Sequence, residues 1–177
     1  MVDATAGFGD DAIALAGFGH QVLALEKCRP VAAMLEQAQS QALQDSRAQA
    51  IAQRLGVLCT DACQALPRLD PVPDVVYLDP MYPEPTRKKT ALPRIEIQLL
   101  RRLLGPAEDP WPLFEAALSS GARRIVVKRP LQAAPLIEPR AGHHAGKLAR
   151  YDVYDAASLE GHPPGAMTSP RSPKQTP

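Results

Sequence analysis

Asp3-Ala4-Thr5-Ala6-Gly7-Phe8-Gly9-Asp10-Asp11-Ala12 is the stretch that decides the fold. It follows the apolar Val2 and leads into the helical positions Ile13, Leu15 and Ala16, so it reads as strand end, glycine turn and helix start. Gly7 and Gly9 allow the backbone to approach a ligand closely, and the helix N-terminus beginning near Asp10 offers free N–H groups to it. Met1-Val2-Asp3-Ala4 reads as only the last residues of a strand, against about 5–6 in a typical one. The expectation is that the chain begins mid-element.

Working outward, Gln21-Val22-Leu23-Ala24-Leu25 is a second strand ending in Glu26, with Lys27 behind it. An acid about 20 residues beyond a glycine turn is placed to meet ribose hydroxyls in a Rossmann-like unit. Gly7-x-Gly9-x-x-Ala12 also fits a dinucleotide fingerprint, so an NAD(P)-dependent oxidoreductase is one reading. The acids favour another: Asp3, Asp10 and Asp11 would repel a pyrophosphate but suit a ligand carrying an ammonium and a sulfonium, as S-adenosylmethionine does. From Pro30 the residues Val31, Met34, Leu35, Ala38, Ala42 and Leu43 predict a helix to about Leu43, with Met34 in its core stripe; a shorter helix runs through Ile51 to Leu55. Gly56–Thr60 predicts a third strand. Asp61, before Ala62, is placed either to accept from an adenine amine or simply to cap a helix.

The chemistry concentrates where Val75-Val76-Tyr77-Leu78 ends in Asp79-Pro80-Met81-Tyr82-Pro83. In a doubly wound sheet the first and fourth strands flank the switch point, and ligands bind outside their carboxyl ends. The lone pair of an exocyclic nucleobase amine is delocalised into the ring and has to be localised before it attacks. The Asp79 carboxylate and Pro80 carbonyl can each accept one amine hydrogen, and Tyr82 offers a stacking ring worth roughly 1–3 kcal/mol per base. Proline fixes the backbone there and removes a competing donor.

A net charge of +1 over 177 residues excludes a global nucleic-acid signal, so any basic footprint must be local. Arg87, Lys88 and Lys89, with Arg94, Arg101 and Arg102 on a helix from about Pro93 to Leu103, form one; Lys128 and Arg129, ending the strand Arg124–Val127, are candidates to hold an RNA backbone. A non-catalytic RNA-binding module is therefore a further reading. Trp111 is expected to pack in the core. Cys28, Cys59 and Cys63 have no metal or disulfide spacing and are expected to be buried thiols. His143 and His144, on a possible short strand from His143 to Lys147, point to opposite faces, which disfavours shared metal ligation. No metal, leader or membrane-spanning run is expected, and the predicted location is the cytoplasm. Residues 1–155 are expected to form one domain and 156–177 a disordered tail rich in Pro and Ser. The predicted fold is α/β, a mostly parallel doubly wound sheet with an antiparallel C-terminal strand at Arg150–Tyr154.

Val2–Asp11, Leu25-Glu26-Lys27, Tyr77–Pro83, Val126-Val127-Lys128-Arg129-Pro130 and Arg150–Tyr154, in that order, resemble the ribosomal small-subunit methyltransferase J family. The resemblance implies a Rossmann-like class I S-adenosylmethionine-dependent methyltransferase acting on the exocyclic N2 of a guanine in 16S ribosomal RNA, free or in the small ribosomal subunit. It implies cofactor contacts at Asp10-Asp11, Glu26-Lys27, Asp61-Ala62 and Asp79. Two departures stand out: the family's region ahead of the glycine loop has no counterpart here, and Asp10 replaces what is commonly a basic residue.

Overall fold

The computed structural model describes residues 1–82, 95–105, 108–138 and 141–159. In chain order these hold β1 (Val2–Asp3), α1 (Asp10–Gly17), β2 (Val22–Glu26), α2 (Arg29–Ala42), α3 (Gln49–Ala52), β3 (Leu55–Cys59), α4 (Ala62–Ala65), β4 (Val75–Leu78), α5 (Ile95–Leu104), α6 (Trp111–Ser119), β5 (Arg124–Pro130), β6 (Gly142–Ala145) and β7 (Ala149–Asp155). The strands form one seven-stranded sheet in the order β3-β2-β1-β4-β5-β7-β6. β1 to β5 are parallel, β7 runs antiparallel to β5, and β6 is antiparallel to β7. The order reverses between β1 and β4, which makes their carboxyl ends the switch point of a doubly wound sheet.

Alternation along the strands sends residues to two faces. Val2, Val76 and Ile125 are in register and point to one face, where Leu25, Leu78, Val127 and Tyr154 join Leu66, Trp111 and Phe114 in the larger core. Trp111 packs on Phe114 with ring centroids 5.7 Å apart, as expected of it. Leu159 lies in the same core, past the domain boundary expected at 155. On the other face α1 and α2 cover Val22 and Ala24, with Ala12, Ala16 and Leu35 in a second cluster. Farther along this face, over β5, β7 and β6, a cavity of about 490 Å³ is lined by Arg124, Val126, Ala141, His144, Tyr151 and Val153. None of the predicted site residues that are described lines it.

Two packing expectations are corrected. Met34 is 58% exposed: the buried stripe of α2 is Val31, Ala32 and Leu35, and at 100° per residue Met34 falls outside it. Cys59 and Cys63 are exposed and Cys28 is half-buried, because Cys59 ends the edge strand β3 and Cys63 lies in the first turn of α4. On α5 the apolar residues Ile95, Leu99 and Leu103 are exposed. No described helix is long and apolar enough to cross a membrane.

Candidate active site

The glycine loop is built by backbone conformations that need glycine. Gly7 and Gly9 adopt φ of +53° and +92°, and a Cβ at Gly9 would stand 2.5 Å from Leu35 Cδ1. Glu26, buried at the end of β2, braces this loop: Oε2 accepts the Gly7 N–H at 2.8 Å and Oε1 the Cys28 N–H at 2.6 Å. One carboxylate thus fixes both the loop after β1 and the entry to α2. Beside it, Lys27 pairs with Glu108 at 2.7 Å. Asp61 accepts the Cys63 N–H at 2.9 Å and caps α4, the simpler of the two expected roles. Ala62 behind it is buried.

Asp3, Tyr77 and Asp79 share a sheet face because Asp3 is in register with Tyr77 and strand alternation returns to that face two residues later. Lys128 reaches it the same way, two residues beyond Val126, which pairs with Tyr77. The four residues come from three neighbouring strands, and α1 adds Asp11. Asp11 Oδ2 accepts from the Tyr77 hydroxyl at 2.8 Å and from Lys128 Nζ at 2.8 Å. Lys128 Nζ also lies 2.9 Å from Asp79 Oδ2. The ammonium therefore sits between two carboxylates, whereas Asp10, next to Asp11 in sequence, is exposed.

Thr5 ties the glycine loop to the Asp79-Pro80-Met81-Tyr82 segment. The Asp79 N–H donates to Thr5 Oγ1 at 2.6 Å, and the Thr5 N–H donates to Asp3 Oδ1 at 3.1 Å. Tyr82 is held by its hydroxyl, which donates to the Lys128 carbonyl at 2.7 Å, and the Arg129 guanidinium lies 4.9 Å from its ring centroid. Arg129 is buried; its Nη2 donates to the Ala134 carbonyl, while Nε and Nη1 have no partner among the described residues. Lys128 and Arg129 thus direct their charges into the protein, toward carboxylates and toward Tyr82. Arg87, Lys88, Lys89 and Arg94 lie outside the described residues.

Burial sets the electrostatics. Desolvation pushes the Asp3 carboxyl up to about 7, with Thr5 opposing and Asp11 and Asp79 adding to the rise. Asp79 is also raised, first by burial, against the hydrogen bond and charge of Lys128. For Lys128 burial works against the charge, but the bonds and charges of Asp11 and Asp79 outweigh it and raise its pKa. Tyr77 is raised by burial and the neighbouring acids, and burial pushes Tyr82 up to about 12, so both phenols are neutral at physiological pH. Thr5, Tyr77 and the inward role of Lys128 were not anticipated from sequence. The face parity of β4 and β5 was the available signal for Tyr77 and Lys128.

These residues suit a cationic nucleoside ligand. Asp3 is a buried carboxylate with no cationic partner among the described residues, and it lies beside a loop turned by two positive-φ glycines, Gly7 and Gly9. An adenosyl group with an ammonium and a sulfonium fits the chemistry of that donor set. The fold and the site define a Rossmann-like class I methyltransferase. A family model described as "Putative SAM-dependent methyltransferase" matches residues 1–156, and the chain belongs to this S-adenosylmethionine-dependent family.

Among its relatives is a protein named ribosomal RNA small subunit methyltransferase J from Hydrogenovibrio crunogenus, 42% identical over 165 residues, covering 90% of this chain and 59% of that protein. Its namesake from Chromohalobacter salexigens is 43% identical over 166 residues, covering 90% and 64%. The chain spans about three fifths of the length of these relatives. A solved S-adenosylmethionine-dependent methyltransferase from Neisseria gonorrhoeae superposes with a TM-score of 0.70 at 31% identity, over 91% of this chain and 67% of that one. An rRNA methyltransferase from Streptomyces viridochromogenes, 16% identical with a TM-score of 0.56 over 92% of this chain and 78% of that one, shares the fold.

Proposed function

We propose that this chain methylates the exocyclic N2 amine of a guanine in 16S ribosomal RNA, in the cytoplasm, using S-adenosylmethionine. The observation that carries the reading is the 2.6 Å bond from the Asp79 amide to Thr5, which locks the acceptor motif against the glycine loop. Cofactor loop and amine acceptors therefore share one crevice. The relatives named ribosomal RNA small subunit methyltransferase J support the RNA substrate.

Asp3, Gly7, Gly9, Asp11, Glu26, Asp61 and Ala62 would hold the cofactor, with Asp10 and Lys27 at the rim. Bound there, it would supply an electrophilic methyl group for the nitrogen lone pair, the C–S bonding pair remaining on sulfur. Asp79 and the Pro80 carbonyl each accept a hydrogen bond from one amine N–H and concentrate the lone pair on nitrogen. They stabilise the positive charge developing there, in a geometry set before reaction. The surplus proton leaves nitrogen through Asp79 to water. Tyr82 stacks against the base, and a guanine shielded in a duplex must be single-stranded or flipped out to reach it. Arg129 holds Tyr82 from behind, and Arg87, Lys88 and Lys89 contact the RNA backbone.

The test is transfer of labelled methyl to 16S ribosomal RNA and to small subunits lacking the modification, with nucleoside analysis of the product, beside calorimetric titration with S-adenosylhomocysteine and NAD. N2-methylguanosine together with binding of S-adenosylhomocysteine alone is the expected result. Label on protein or on another nucleoside would overturn the reading.

A further inference from the structure

The ammonium of Lys128 occupies a position that an RNA contact would not explain. It is fixed between Asp11 Oδ2 at 2.8 Å and Asp79 Oδ2 at 2.9 Å, with its side chain only 26% exposed. Asp11 is itself held by the Tyr77 hydroxyl. Lys128 engages Oδ2 of the Asp79 carboxylate, and among the described residues no hydrogen bond is made to Oδ1.

We propose that Lys128 is a positioning residue for methyl transfer: clamped between Asp11 and Asp79, its ammonium holds Asp79 as an ionised acceptor and leaves Oδ1 to the substrate amine. The proposal rests on the amine-methylation reading and replaces an RNA-backbone role for Lys128.

The charges around Asp79 explain the need. Asp3 from β1 and Asp11 from α1 are acids, Tyr77 from β4 and Tyr82 after it are neutral phenols, and Arg129 from β5 is turned toward Tyr82. Lys128 is the cation in contact with Asp79 among the described residues. Burial and Asp11 both push Asp79 toward its neutral form, and a neutral carboxylic acid would offer a donor to the amine where an acceptor is required. Lys128 opposes both. Its fourfold-jointed stem and point charge allow it to be shared by two carboxylates, and an arginine at the same site keeps the charge.

The test follows the Asp79 carboxyl by carbon-13 NMR across pH in the wild type, Lys128→Met, Lys128→Arg and Asp11→Asn. A neighbouring opposite charge moves a carboxyl by about 1–3 pH units. Lys128→Met is expected to move the Asp79 midpoint upward by a shift of that order, Lys128→Arg to restore most of it, and Asp11→Asn to move it downward. An unmoved Asp79 midpoint in folded Lys128→Met overturns the proposal; where that variant does not fold, an upward movement in Asp11→Asn does so. The acid limb of methyl transfer should follow the Asp79 midpoint through the series. If the wild type transfers no methyl to 16S RNA while the midpoints move as stated, the RNA reading fails and the Lys128 clamp stands.

Discussion

The Tyr82 hydroxyl donates to the main-chain carbonyl of Lys128, across 2.7 Å. The acceptor loop after β4 is thereby pinned to the end of β5, and the residue whose ammonium grips Asp79 also orients, through its backbone, the ring proposed to meet the base. Tyr82→Phe removes the bond and keeps the ring; Tyr82→Ala removes both. Steady-state kinetics should give a small rise in KM for RNA with the first. With the second, the loss should be about 10-fold or more, as a stacking contact of roughly 1–3 kcal/mol implies. S-adenosylhomocysteine affinity should stay near wild type in both.

Asp79→Ala removes the proposed acceptor but leaves Lys128 paired with Asp11 and the Thr5 bond to the main chain intact. Methyl transfer should fall by roughly 10²–10³-fold, the usual loss for one preorganised polar group facing developing charge. The melting profile should remain cooperative, and single-turnover assays with radiolabelled cofactor would separate this loss from a binding defect.

The buried Asp3 gives stability a defined pH dependence. Its folded pKa of about 7 lies above the ordinary value of 3.8, so the folded state holds a proton that the unfolded chain has lost. This contribution is complete below about pH 4 and disappears as pH rises through about 7. Asp3→Asn should remove that component, so its stability relative to wild type improves between pH 5 and pH 8. Urea denaturation at the two pH values measures it.

At Gly9 a side chain meets two obstacles, a left-handed φ and the Leu35 methyl. Gly9→Ala should lower unfolding stability by about 1–2 kcal/mol from the backbone alone and weaken S-adenosylhomocysteine binding with it. Glu26→Gln puts an amide where two main-chain N–H groups converge. One of them loses its acceptor, for a cost of about 1–3 kcal/mol, and calorimetry should show weaker cofactor binding.

The sheet was legible because its strands are apolar runs ended by chemistry-bearing residues, and each such ending came to the same edge. Asp3, Gly7, Gly9, Glu26 and Asp79 could be picked out because a strand-turn-helix pattern dictates where they lie. The family resemblance already marks Asp10 as the departure of the pair, and helix rotation gives the physical difference, exposing Asp10 and turning Asp11 toward Tyr77. Lys128 reads from sequence as a strand-end cation holding the RNA backbone, and only the pairing of β4 with β5 delivers it to the acids. Met34 shows the opposite failure. Its spacing fits a stripe, but the neighbouring sheet covers a narrower arc of the helix than the apolar residues span.

Asp11 and Lys128 touch across 117 residues of chain. The glycine loop is synthesised before β5, and its acid has no Lys128 counter-charge until β5 has been made and paired with β4. A sequence-distant contact thus completes the charge balance beside the glycine loop, and binding of S-adenosylhomocysteine to ribosome-stalled chains of increasing length would time its formation.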